Sequence, residues 1–163
     1  MNNERKWILR GGRVLNPAPF CLIGIVNVTP DSFSDGGKYI DPRNAVAHGL
    51  RLLDEGAGML DLGAESTRPF AEPVPEGEEI ARLMPVVARL REQRPDAVLS
   101  VDTLKAGTAR AALEGGADII NDVSACVADP ALLDVLAEYK PGYVLMHSQG
   151  SPREMQVNPR YGN

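Results

Sequence analysis

The sequence predicts an α/β fold built on a parallel β-sheet, because short apolar segments alternate with amphipathic helical patterns along the chain. Each apolar segment is bounded by turn residues, as a buried strand would be. Two architectures fit this alternation, a doubly wound open sheet and a (β/α) barrel, and both use right-handed crossovers. The predicted strands are residues 21–26, 59–62, 98–101, 119–120 and 143–146.

A short hairpin precedes these units, since residues 6–9 and 13–15 flank Gly11 and Gly12. Four helices are predicted between the five strands, three from apolar residues spaced along one face and the fourth from an alanine-rich run at 106–113. Pro85 should interrupt and kink the second helix because proline lacks a backbone donor. The three apolar faces are Val46, Leu50 and Leu53; Ile80, Leu83, Val87 and Leu90; and Leu132, Val135 and Leu136.

The turns favour the barrel over the open sheet. Gly56-Ala57 and Gly116-Ala117 combine a glycine helix cap with an immediate entry into the next strand. No Gly-x-Gly-x-x-Gly follows the first strand, which counts against a dinucleotide-binding unit.

Composition narrows the function classes. The chain has 163 residues, 44% of them hydrophobic, which is enough for one domain with a core. Its formal charge of -5 is spread along the chain without a basic stripe, so nucleic acid is not an expected partner. No segment approaches the ~20 apolar residues of a membrane span, and a cytoplasmic location is expected. Cys21 and Cys126 lack metal-binding spacing and are expected to be free, packed side chains.

Polar residues gather where the predicted strands end. Asn27, Asp102 and the pair Asn121-Asp122 each directly follow a largely apolar run. Ligands of parallel α/β folds bind at the carboxyl ends of strands, so these residues are site candidates. Asp102 could instead cap the helix that begins near Lys105, with Thr103 assisting, and an Asx pair can simply close a turn. Glu76, Glu78 and Glu79 suit the first turn of a helix and need no further role.

Four segments, and a fifth after the last strand, give the chain a specific resemblance to dihydropteroate synthases of the folate pathway. The similarity begins near Leu22 and continues over essentially all of the chain. These segments are NVTPDSFSDGG (27–37), DLGAESTRP (61–69), SVDT (100–103), IIND (119–122) and MHSQG (146–150).

The resemblance implies a TIM-type (β/α)8 barrel that condenses 6-hydroxymethyl-7,8-dihydropterin diphosphate with p-aminobenzoate and releases pyrophosphate. It implies that Asp102 and Asn121 hold the pterin edge and that Asn27 is associated with Mg2+ on the diphosphate. Magnesium takes few protein oxygens besides water and phosphate, so one asparagine ligand is reasonable. The loops 29–37 and 65–69 would enclose the diphosphate and form the p-aminobenzoate pocket, where sulfonamides also bind. The further substrate contacts carried over are Ser32, Phe33, Thr67, Arg68 and Met146.

The chain departs from the family pattern in Leu104, where a small polar residue is common, in Phe70, where glycine is common, and in length. A (β/α)8 barrel takes ~250 residues, so we expect residues 1–163 to be one C-terminally incomplete pterin-binding domain, inactive alone, whose first and fifth sheet strands are open edges. The homodimer expected of the full-length family rests largely on helices of the other half. The alternatives are a noncatalytic pterin-binding fragment or paralogue, and a methyltetrahydrofolate-type methyltransferase; the latter has no diphosphate for the first loop to enclose.

Overall fold

Five parallel strands and four intervening helices form the body of the molecule. The computed structural model describes residues 6–29, 41–65, 72–147 and 160. The strands are β3 (Ile23–Asn27), β4 (Met59–Gly63), β5 (Leu99–Asp102), β6 (Ile119–Asp122) and β7 (Gly142–Leu145). The helices are α1 (Pro42–Asp54), α2 (Glu76–Gln93), α3 (Ala106–Glu114) and α4 (Leu132–Tyr139).

The strands lie in the sheet in chain order, β3-β4-β5-β6-β7, and every neighbouring pair is parallel. This order confirms the predicted parallel sheet in the strand arrangement of a (β/α) barrel, with β3 and β7 as the edges of the described sheet. The observed strand ends differ from the predicted ones in one respect that matters for function. Asn27, Asp102 and Asn121 are paired strand residues rather than the first residues of loops, so the sheet itself fixes their backbones.

The predicted hairpin is present as β1 (Trp7–Ile8) and β2 (Val14–Leu15), which pair antiparallel across a 3-10 turn at Arg10–Gly12. Gly11 has φ 70° and Gly12 φ 78°, a left-handed backbone that favours glycine at both turn positions. Leu9 of the hairpin packs with Met59, Val98 and Ile119. The hairpin therefore covers the amino end of one sheet face.

The larger core lies between the other sheet face and the helices. Leu60 and Leu62 of β4 and Leu83 and Leu90 of α2 are completely buried in it. α2 runs through Pro85 as a single helix, so the predicted interruption does not occur. Tertiary burial of an apolar helix face contributes more than one backbone hydrogen bond, which explains why the proline is accommodated.

The cysteine prediction is confirmed: Cys21 and Cys126 are both free. None of the helices in the described ranges is long and apolar enough to cross a membrane.

Candidate active site at the carboxyl edge of the sheet

Strand register brings the predicted site residues into one row across the sheet. Asn27 pairs with Gly63, Gly63 with Asp102, Asp102 with Asn121, and Asn121 with Val144. Register partners in a parallel sheet share a face, so this row forms a ledge at the carboxyl edge, opposite the helix layer. Two of its neighbouring positions carry a carboxyl group and a carboxamide, as the sequence predicted.

The carboxyl group of Asp102 has a strongly raised pKa. Burial, together with the nearby carboxylates of Asp61, Glu79, Asp122 and Glu65, raises the pKa of Asp102 from 3.8 to about 7. Among the described residues, no side chain donates a hydrogen bond to this carboxyl group. Near neutral pH it is thus present in both protonation states and can either donate to a ring nitrogen or accept from an N–H group.

The alternative interpretation of Asp102 as a helix cap is wrong. The first turn of α3 is capped by other residues, because Thr103 Oγ1 accepts from the backbone N–H of Lys105 at 3.2 Å and Asp129 Oδ2 accepts from that of Ala106 at 2.8 Å. The assisting role predicted for Thr103 is confirmed. Asp102 caps no helix and remains available on the ledge.

Asn121 and Asp122 point to opposite faces of the sheet, so the two residues have different roles. Asp122 is fully buried and accepts hydrogen bonds from the backbone N–H groups of Ser124 and Cys126 and from the Tyr143 hydroxyl. Burial alone would raise the pKa of Asp122, but these donors outweigh it and lower the pKa. The turn-closing interpretation therefore holds for Asp122, and Asn121 remains available on the ledge.

A partly buried ion cluster lies beside the ledge and joins α2 to the segments that follow β4 and precede α3. The Lys105 ammonium donates to Glu65 and, at 2.7 Å, to Glu79 Oε2, which also accepts from Thr108 Oγ1 at 3.2 Å. Burial would lower the pKa of Lys105, but its hydrogen bonds to the two glutamates outweigh that effect and raise it. Glu79 is completely buried, so the prediction that it needs no role beyond the helix terminus is wrong. Its carboxylate holds α2 to the residue that precedes α3.

Some of the remaining predicted positions lie within the described residues, and the others lie outside them. Asn27 is exposed at the β3 end of the ledge, and Met146 directly follows β7. Leu104 is half-buried next to Thr103. No group of three or more acidic, histidine or cysteine side chains within the described ranges is arranged to hold a metal ion. The other predicted positions lie outside the described residues: Ser32, Phe33, Thr67, Arg68 and Phe70.

One polar residue of this face was not singled out from the sequence. Asp61 lies in β4, two residues before Gly63, and its carboxylate accepts from Ser100 Oγ at 2.6 Å and from Asn121 Nδ2 at 3.0 Å. A single carboxylate inside an otherwise apolar strand requires hydrogen-bond donors when buried. That requirement was the available signal in the segment Met59–Gly63.

Comparisons with a protein family, with relatives and with solved structures all lead to pterin-binding enzymes. Residues 23–163 match the family described as pterin binding enzyme. The dihydropteroate synthase of Mycobacterium leprae is 50% identical over 130 residues, 80% of this chain and 45% of the relative. The structure of Xanthomonas albilineans dihydropteroate synthase with 4-aminobenzoic acid is similar, with TM-score 0.78 and 48% identity over 89% of this chain and 54% of that one. The Burkholderia cenocepacia dihydropteroate synthase complexed with 7,8-dihydropteroate gives TM-score 0.79 and 38% identity over 96% and 51%. The chain therefore spans about half the length of these relatives.

Proposed function

This chain belongs to the pterin binding enzyme family, and from that premise we propose that it supplies the pterin-binding half of a dihydropteroate synthase. The reaction joins 6-hydroxymethyl-7,8-dihydropterin diphosphate to p-aminobenzoate, giving 7,8-dihydropteroate and pyrophosphate. In this proposal, residues 1–163 form a single domain of a transferase that works in the cytoplasm on small molecules. In the full-length protein we further propose a homodimer.

The observation that carries the proposal is the pairing of Asp102 with Asn121 on adjacent strands. A carboxyl group and a carboxamide side by side can bind the amine, amide and ring-nitrogen edge of a flat heterocycle through several hydrogen bonds. Such a site also discriminates strongly, because a ligand without the matching groups leaves buried polar atoms unpaired. The family, and the 7,8-dihydropteroate bound to the Burkholderia cenocepacia relative, support a pterin as the heterocycle at this edge.

Asn27 fits the proposed magnesium site. Its side chain is exposed at the end of β3, and Gly63, its register neighbour, carries no side chain that would obstruct access. Mg2+ commonly uses one or two protein oxygens and completes its octahedron with water and phosphate oxygens. When bound, the ion would neutralise charge developing on the diphosphate leaving group.

The chemistry requires no protein nucleophile. The bond between the pterin methylene carbon and the diphosphate oxygen breaks, and pyrophosphate leaves with the electron pair. The aniline nitrogen of p-aminobenzoate then attacks the methylene carbon and loses a proton. Asp102 and Asn121 hold the pterin so that its methylene carbon faces the attacking amine. This contribution is catalysis by proximity and orientation. Ser32, Phe33, Thr67, Arg68 and Met146 complete the proposed substrate contacts.

Open apolar surface supports the proposal that further β/α units complete the active enzyme. Ile23 and Ile25 lie on the ledge side of β3 and are 52% and 61% exposed. In a closed barrel that side is filled by layers of interior side chains. The edges of β3 and β7 likewise offer unpaired backbone groups to additional strands.

Calorimetry with the pterin diphosphate and Mg2+ tests the function directly. We expect the chain to bind it, with affinity lost in Asp102→Ala, and dihydropteroate to form only after addition of a recombinant C-terminal half from a relative. A folded chain that binds no pterin in either condition would refute the proposal. Binding without product in the presence of both halves would favour a noncatalytic pterin-binding protein.

A further inference from the structure

Asp61 occupies the row immediately below the ledge. It pairs in register with Ile25 on one side and with Ser100 on the other. Ser100 is completely buried and Asp61 half-buried. Asp61 is therefore set one layer beneath the proposed pterin contacts Asp102 and Asn121 and is not one of them.

The carboxylate of Asp61 connects three strands. Its Oδ1 accepts from Ser100 Oγ on β5 at 2.6 Å, and its Oδ2 accepts from Asn121 Nδ2 on β6 at 3.0 Å. The backbone of Asn121 is held independently, since its carbonyl accepts from Thr103 N at 3.0 Å. The only freedom left to Asn121 is rotation of its side chain, and Asp61 restrains that rotation.

The chemical consequence lies in the orientation of the amide. An asparagine side chain has an oxygen that accepts and an NH2 group that donates, and the two are nearly equal in shape. Asp61 Oδ2 accepts from the NH2 group of Asn121, which turns the amide oxygen away from Asp61. Asn121 Oδ1 is thereby kept available as an acceptor for a ligand.

We propose that Asp61 is a positioning residue that sets the selectivity of the site by holding Asn121 with its oxygen toward the ligand. This inference rests on the proposed function. It specifies the class of ligand further: a heterocycle whose edge offers an N–H donor to position 121 beside the group bound by Asp102. The same fixed orientation increases affinity, because the amide is ordered before the ligand arrives.

The test is a double-mutant cycle on pteroic acid binding. Asp61→Leu removes the carboxylate with a side chain of similar size, and Asn121→Leu removes the amide that it orients. We expect Asp61→Leu to weaken pteroic acid binding about tenfold in the wild-type background and less than twofold in the Asn121→Leu background, because coupled residues are not additive. Ser100→Ala, which removes the other partner of Asp61, is the matched control and should change affinity less than twofold.

A second measurement requires no ligand. In the 15N spectrum of the free chain, exchange of the Asn121 side-chain NH2 protons with solvent should be slow in the wild type, faster in Asp61→Leu, and restored in part by Asp61→Glu. Unchanged exchange in Asp61→Leu would overturn the positioning role. An equal loss of affinity in both backgrounds would also overturn it, as a general structural effect. Failure of the wild-type chain itself to bind pteroic acid would overturn the proposed function, and the selectivity with it.

Discussion

Arg13 Nη1 lies 2.7 Å from Asp118 Oδ1 and joins the hairpin to the amino end of the sheet. Asp118 Oδ2 also accepts from Arg91 Nη2 at 2.9 Å and from the backbone N–H of Leu99 at 3.0 Å. The Asp118 side chain is only 6% exposed. One carboxylate thus connects the hairpin, α2 and β5 at the end of the sheet opposite the candidate site.

Asp118→Ala should lower the free energy of unfolding by about 3–5 kcal/mol, because two arginines would lose a buried counter-ion. Urea denaturation measures the change as a shift in midpoint. Arg13→Met is the matched control: its side chain is 33% exposed, and we expect a loss of only about 1 kcal/mol. Equal effects of the two substitutions would contradict a central role for Asp118.

The contact between Lys105 and Glu79 predicts a non-additive pair. Lys105→Met should destabilise the chain by about 3–5 kcal/mol, because the fully buried Glu79 carboxylate would lose its nearest cation. The double variant Lys105→Met/Glu79→Leu removes both charges and should be more stable than Lys105→Met alone. Thermal unfolding of the wild type, the single variant and the double variant at one pH measures their relative stability. A double variant less stable than Lys105→Met would show that the unpaired Glu79 carboxylate is not the source of the loss.

The sequence predicted the sheet and its polar edge, but it did not predict the pairing of carboxylates with partners distant in the chain. Asn27, Asp102 and Asn121 could be identified because each ends an apolar run, a local signal that the register then aligned. Glu79 and Asp118 carried no such signal, since acidic residues are common in first helical turns and before strands. Their burial depends on Lys105 and Arg13, which are 26 and 105 residues away in the chain.

The raised pKa of Asp102 makes its effect on stability dependent on pH. Its pKa is about 7 in the folded chain, against 3.8 for a solvent-exposed aspartate, so ionisation between these two pH values favours the unfolded chain. Below pH 4 the wild type and Asp102→Asn should therefore be equally stable. As the pH rises toward 7 the wild type should lose stability relative to the variant, and above pH 7 the difference in their free energies of unfolding should stay constant. The difference at pH 8 should be on the order of 2–4 kcal/mol.

Urea titrations of wild type and Asp102→Asn at pH 4 and pH 8 measure this difference. Comparing the two chains cancels the titration of the other groups, which both share. A stability difference that is the same at the two pH values would show that the Asp102 carboxyl group is not perturbed in the folded chain.

A substitution at Gly142, at the start of β7, measures how tightly the hairpin packs against the sheet. A Cβ there would lie 2.8 Å from Leu9 Cδ2, 2.9 Å from Ile119 Cγ1 and 3.2 Å from Trp7 Cζ2. Because three side chains would have to move together, Gly142→Ala should destabilise the chain by about 1–3 kcal/mol. Gly77→Ala in α2 is the matched control, since nothing lies within 4 Å of its Cβ position and alanine favours the helix. The urea midpoint should fall for Gly142→Ala and stay level or rise for Gly77→Ala. Equal midpoints would show that the side chains around Gly142 accommodate the added methyl group without loss of stability.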